Sequence, residues 1–275
     1  MTKRFCLLLA VLWFLPACTE EHAISIDVEG ALGGDAPAAP AFEIQKAVEH
    51  GRIEDHDGLR LIRLWGSPKE RGRAHGLLLG NEVIDLMRRE LTAQFGHQKS
   101  QLARARMLLP LMVAYPKDYH VELAEVFKAV KEQELDLALP GFDRNLDLKD
   151  LLLLNAMDLV AQMGCSGFTV SGDQVEGGGV LTARNFDWPI TGPYLVENCC
   201  LIVQHPKDGA AFASVAWPGY VGTITGVNEH GVATFLHFGD SGGGSERAEH
   251  YNHPGRHAGF RDRVHRCHRR HSCRC

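Results

Sequence analysis

The feature that most constrains this chain is a change of periodicity in the middle of it. Up to Met163, apolar residues recur at three- and four-residue intervals, as on one face of a helix. From Cys165 they alternate with polar residues, as in a half-buried strand. Gly164-Cys165-Ser166 stands at the join. Before it, Asn81 to Phe95, Gln101 to Tyr115, His120 to Leu137 and Leu146 to Met163 read as helices, punctuated by Pro116, Pro140 and glycines. After it, "CSGFTVSG", "GVLTARN", "YLVENCCLIVQH", "AAFASVAW", "VGTITGVN" and "GVATFLHF" read as strands joined by short turns, the pattern of antiparallel hairpins. One earlier strand, "LRLIRLWGS", is followed by "SPKERGRAHG", which reads as a charged turn. Helices first and sheet second predicts an α+β layered fold.

The ends of the chain read differently from the centre. Lys3 and Arg4 precede "FCLLLAVLWFL", which suits a secretory h-region and is too short to span a bilayer. The run ends in "LPAC", which resembles a bacterial lipobox, with Cys18 the lipidated residue and residues 1–18 the signal peptide. Thr19, rather than Asp, follows Cys18 and favours the outer membrane. The expectation is an exported protein, lipid-anchored on the periplasmic side. Residues 19–41, rich in Gly, Ala and Pro, read as a flexible tether. A folded domain is expected over residues 42–244.

Residues 245–275 have neither period nor core and read as a basic tail, whose residue mix resembles out-of-frame translation of a GC-rich gene. Tyr251 to Cys275 holds seven Arg against one Asp, near +6. The whole chain is -5, so the remainder carries about -11, which argues against a general nucleic-acid surface. Cys267, His268, His271, Cys273 and Cys275 are metal-type donors, but their spacing matches no usual paired-ligand arrangement. Cys199 and Cys200 are adjacent in an apparent strand and point to opposite faces, so they read as small buried apolar residues rather than a disulfide.

Cys165 is the candidate nucleophile. Gly164 before it leaves an unhindered carbonyl, and "ARNFDW" places Arg184 and Asp187 three residues apart on the following strand. A guanidinium beside a thiol favours its anionic form, and a carboxylate can hold an ammonium group. Arg184 and Asp187 also suit a surface ion pair at the end of a strand.

Four motifs in order, "GSPKERGRAHG" at Gly66 to Gly76, "GCSGF" at Gly164 to Phe168, "ARNFDW" at Ala183 to Trp188 and "WPGYVGTITGVNEHGVA" at Trp217 to Ala233, resemble the acyl-coenzyme A:6-aminopenicillanate (isopenicillin-N) acyltransferase family. That family belongs to the N-terminal nucleophile hydrolases and is related to the choloylglycine hydrolases. The resemblance runs from about Leu59 to Gly239. It implies a four-layer αββα sandwich, here incomplete at the C-terminal end because family members continue well beyond the equivalent of Gly244. It also implies self-cleavage between Gly164 and Cys165, with the two fragments staying associated.

In that scheme the freed α-amine accepts the Cys165 thiol proton, as base within the same residue. Asp187 would orient the amine, and Arg184 would contact the thiol or the substrate. The oxyanion donor of the cousins falls near His237, where they carry Asn. Asn228 lies nearby and equally suits a turn residue. The implied substrates are small acylated amino compounds, with an acyl-coenzyme A or other acyl donor for transfer, and no metal or organic cofactor is involved. Two other readings compete. One is an inactive, membrane-tethered homologue or binding protein; the other is ester or thioester hydrolysis by the same cysteine. Cells fed a palmitate analogue should label the chain, and the label should vanish in Cys18→Ser; persistence would exclude Cys18 as the anchor.

Overall fold

The computed structural model describes residues 43–56, 58–156, 164–187 and 194–237. Their architecture is α+β: a seven-stranded mixed sheet, helices packed on one of its faces, and a separate two-stranded hairpin. Cys18, read above as a lipobox cysteine, and the stretches read as a tether and a basic tail lie outside the described residues.

Strands β1 (Glu43–Val48), β2 (Gly51–His56) and β3 (Leu59–Gly66) form an antiparallel meander. The first two were not anticipated from the sequence. Helices α1 (Pro68–Phe95), α2 (Lys99–Met112) and α3 (Lys117–Glu132) follow, then a short ribbon of β4 (Ala138–Leu139) and β5 (Arg144–Asn145), then α4 (Leu148–Leu154). β6 (Gly164–Ser171) and β7 (Val180–Asp187) make the hairpin. After the one-turn α5 (Tyr194–Glu197) come β8 (Cys200–Pro206), β9 (Phe212–Ala216), β10 (Thr225–Asn228) and β11 (Ala233–Phe235). The sheet order is β1-β2-β3-β8-β9-β10-β11, and only β3 and β8 run parallel. A parallel pair needs a long crossover. Here it contains all the long helices and the hairpin.

The stretch that read as a charged turn, "SPKERGRAHG", is instead the start of α1. Ser67 is its N-cap, Pro68 takes the first turn, and Ser67 and Glu70 complete a capping box. Glu70 is held below the ordinary carboxylate range, chiefly by its hydrogen bond with the Ser67 side chain. The glycines serve packing. A Cβ on Gly72 would lie 2.2 Å from the Glu122 carbonyl oxygen, and one on Gly76 would lie 2.3 Å from that of Val126. Without side chains there, α3 can lie directly against α1. The contact is fixed by a buried ion pair, Arg71 Nη2 to Glu122 at 2.7 Å, and by Gln133 donating to the Gly76 carbonyl at 2.9 Å.

The core lies between these helices and the sheet. Leu78, Leu79, Val83, Met87 and Leu91 of α1 meet Ile62 and Leu64 of β3, Cys200 and Ile202 of β8, and Leu123, Val126 and Val130 of α3. The other face of the sheet carries a small apolar cluster of Leu61, Leu201, Val203, Ala211 and Ala213. Beside it Arg63 is fully buried and donates to Glu54 at 2.9 Å.

Two buried polar side chains of the helical layer reach across the core to one loop. His75 accepts the Gly219 N–H at 2.8 Å. Asn155 donates to the Gly219 carbonyl at 2.9 Å and accepts the Val221 N–H at 3.0 Å. Gly219 has φ +81°, and a Cβ there would meet Leu151 and Val83 at 3.2 Å, so glycine suits the position on both counts. His75 is fully buried, and burial pushes it down from 6.5 to about 4. The unfolded chain therefore takes up the His75 proton first as pH falls, and stability is lost from about pH 6.5 down to about pH 4, by about 3 kcal/mol in total. Denaturant midpoints at pH 7 and pH 4.5 should show His75→Gln less acid-sensitive than the parent chain; equal sensitivity would remove His75 from this role.

Candidate functional site

The site is built on the β6–β7 hairpin. Cys165 pairs with Phe186 and Gly167 with Arg184, so these four residues share one face of the ribbon. Gly167, opposite Arg184, presents no side chain. The guanidinium therefore passes over it toward Cys165: Arg184 Nη2 donates to Cys165 Sγ at 3.0 Å. The half-buried Cys165, as a thiol, donates in turn to the Leu236 carbonyl at 3.5 Å.

Arg184 also ties the hairpin to the end of the large sheet. Its Nη1 donates to the Ile224 carbonyl at 3.2 Å and to Thr225 Oγ1, and its Nη2 donates to the Leu236 carbonyl. The guanidinium lies 4.6 Å from the centre of the Phe186 ring, in cation–π range. Phe186 leans on Trp217, with ring centres 6.0 Å apart. Trp217 is anchored by its Nε1, which donates to the Leu195 carbonyl at 2.8 Å. A positive group fixed at this distance from sulfur stabilises negative charge that develops there as a bond forms.

The other anticipated residues are distributed around this pair. Gly164 opens β6 and its backbone is in register with that of Asp187, which ends β7. The Asp187 side chain lies outside the described part. His237 is exposed and sits beside the hairpin: its Cε1 would be 3.6 Å from a Cβ placed on Gly167. Asn228 is a turn residue. Its side-chain oxygen accepts the N–H groups of His230 at 3.1 Å and Val232 at 2.9 Å, closing the β10–β11 turn, and none of its described contacts reaches Cys165.

The cysteine pair also differs from expectation. Cys200 is buried at the start of β8, and burial pushes its thiol up to about 12. Cys199 precedes the strand and is exposed, because the short α5 occupies what read as the first part of the strand. The expectation of burial therefore fails for Cys199.

A cleft adjoins this site. Leu86, Met87, Leu151, Leu195, Trp217 and Ile224 line it, with Glu90 and Asn155 as polar members. Ile224 belongs to both features, since it lines the cleft and its carbonyl receives Arg184. Glu90, Asn155 and His75 were not singled out from the sequence. The nearest signal was the "WPGY" motif, whose Gly219 the last two hold.

No known protein-family model matches the chain. It is 29% identical to an uncharacterised protein of Archaeoglobus fulgidus over 222 residues, which cover 71% of the chain and 36% of that protein. It is 26% identical to protein dcd1B of Dictyostelium discoideum over 188 residues, covering 64% of the chain and 37% of the relative. For protein dcd1A of the same organism the identity is 24%, covering 67% and 46%. The chain thus spans less than half the length of these curated relatives.

Replacing Arg184 with Ala should slow iodoacetamide labelling of Cys165 by roughly tenfold, the effect of about 1.4 kcal/mol on the reacting sulfur. The exposed Cys199 serves as internal reference. Peptide mass spectrometry would read both sites, and an unchanged ratio would show that Arg184 does not act on the thiol.

Proposed function

We propose that the chain is an exported amidohydrolase or acyltransferase of the N-terminal nucleophile type, acting on linear carboxamides through Cys165. One observation carries this reading: the Arg184 guanidinium lies 3.0 Å from Cys165 Sγ on the hairpin that opens at Gly164. A structural cysteine in an apolar core gains nothing from such a partner, whereas a nucleophile does. A mixed sheet covered by helices on one face, with a separate two-stranded hairpin tied to its end, is compatible with part of an αββα sandwich.

In the maturation step the Cys165 sulfur attacks the Gly164 carbonyl carbon. The Gly164–Cys165 C–N bond breaks, the Cys165 nitrogen leaves as a free amine, and a thioester joins Gly164 to the sulfur. Water then adds to the thioester carbonyl, releasing a Gly164 carboxylate and the thiol.

In turnover the α-amine of Cys165 takes the thiol proton, and the sulfur attacks the substrate carbonyl. The proton passes to the departing amine as the amide C–N bond breaks. Water or a second amine then accepts the acyl group from sulfur. In this reading Arg184 stabilises the charged sulfur, Asp187 orients the amine, and His237 serves as the oxyanion donor. The lipid anchor at Cys18 would keep the segment before Gly164 at the membrane, so the segment from Cys165 would be held there by packing alone.

Cys165→Ala should leave a single uncut chain and no turnover of acyl-amino substrates. Intact-mass measurement reads the first outcome and a substrate panel the second. Normal processing in that variant would rule the reading out.

A further inference from the structure

Among the described residues, four carboxylates are buried: Glu54, Glu90, Glu122 and Asp150. Three of them have arginine partners. Glu54 is paired with Arg63 at 2.9 Å and with Arg52; Glu122 with Arg71 at 2.7 Å; Asp150 with Arg144 at 2.6 Å and with Arg106. Glu90 is the exception. It is 7% exposed, and its described partner is the Tyr194 hydroxyl, which donates to Oε1 at 2.6 Å. A nearby cation, Arg89, lies 5.7 Å from the centre of the Tyr194 ring, but its Nε is engaged by Asp85 at 2.7 Å.

The exceptional carboxylate is also the one that lines the cleft. A buried carboxylate without a cation is costly, and natural proteins pair such groups or use them. Apart from Asn155, whose carboxamide is engaged by Gly219 and Val221, the rest of the lining is mainly apolar, with the rings of Trp217 and Tyr220 set edge to face, their centres 6.1 Å apart. A carboxylate beside aromatic faces in an apolar recess is the chemistry that recognises an ammonium group on an apolar body.

We infer that this cleft binds a protonated primary amine carried on an aliphatic or aryl group, and that Glu90 is its counter-ion. The position of the cleft says which part of a substrate this is. Ile224 is shared by the cleft and the Arg184 contact, so a molecule whose scissile amide lies at Cys165 can place its ammonium-bearing group in the cleft. The substrate class is then an aminoacyl amide with an apolar side chain. That last step rests on the Cys165 reading above; the binding preference does not.

Two probes of equal body separate the possibilities: leucinamide, which carries the ammonium, and 4-methylpentanamide, which lacks it. Affinities for the full chain would be measured by saturation-transfer NMR at pH 6.5, where the α-amine of such an amide is protonated. Leucinamide should bind at least about tenfold tighter, the size of a modest charge-assisted contact. Glu90→Gln should bring the two probes to within about twofold. Tyr194→Phe removes the hydroxyl but keeps the carboxylate, so it should retain the preference and covers the case in which Glu90→Gln does not fold.

Equal affinity of the two probes in the parent chain would overturn the inference. So would a preference that survives Glu90→Gln, or binding of neither probe. Turnover that persisted in Cys165→Ala would sink the nucleophile reading while leaving the binding preference standing, so the two failures are distinguishable.

Discussion

The arrangement of the site depends on one side chain, the Arg184 guanidinium. Among the described residues the β6–β7 hairpin shares no ladder with the seven-stranded sheet, so backbone pairing does not fix it there. Arg184 makes the connection instead, donating to the carbonyls of Ile224 and Leu236 and to the Thr225 hydroxyl. A planar fork of donors suits this task in a way an ammonium would not, because separate N–H groups address separate acceptors in one plane. One further donor remains for the Cys165 sulfur. Holding the hairpin and facing the thiol are thus the same act, and the position of the sulfur relative to the sheet follows from it.

The acceptors on the sheet side are themselves fixed from behind. Ile224 and Thr225 follow two residues after the Trp217–Val221 loop, which His75 and Asn155 hold from the helical layer. The close approach of α1 and α3, made possible by Gly72 and Gly76, belongs to the packing that keeps His75 out of water. A chain of contacts therefore leads from the glycines of α1, through a buried imidazole and a carboxamide, to the loop that presents the carbonyl on which Arg184 rests. Changes far from Cys165 along this chain should reach the thiol through geometry, without altering any group that touches it.

How far the sequence reveals this depends on the range of each interaction. Alternation with period two places Arg184 and Phe186 on one face of β7, and the turn between "CSGFTVSG" and "GVLTARN" brings β6 back against it. The closeness of Cys165 and Arg184 on one face of a hairpin is therefore legible. The α+β order was legible for the same reason, since periodicity is a local property. The start of α1 was misread because its glycines, which look like punctuation, serve a helix–helix contact; the Ser67, Pro68 and Glu70 signals of a capped N-terminus were the better guide. Cys199 was misplaced because four residues of apparent strand form a helical turn. The contacts of His75 with Gly219, Asn155 with Gly219 and Tyr194 with Glu90 span 144, 64 and 104 residues. Each residue type is ordinary in its helix or loop, and only the fold makes it exceptional.

The exposed side of the hairpin follows from the same separation. Phe168 and Leu181 are 58% and 54% exposed, and their strands are not joined to the large sheet. One face of the ribbon is therefore used by Cys165, Arg184 and Phe186 against the sheet end, while apolar surface remains open elsewhere on it. A two-stranded ribbon is marginal by itself in water. Among the described residues, the hydrogen bonds that tie it to the sheet are concentrated at its Cys165 end, so its order should decline from that end toward the Gly172–Gly179 turn.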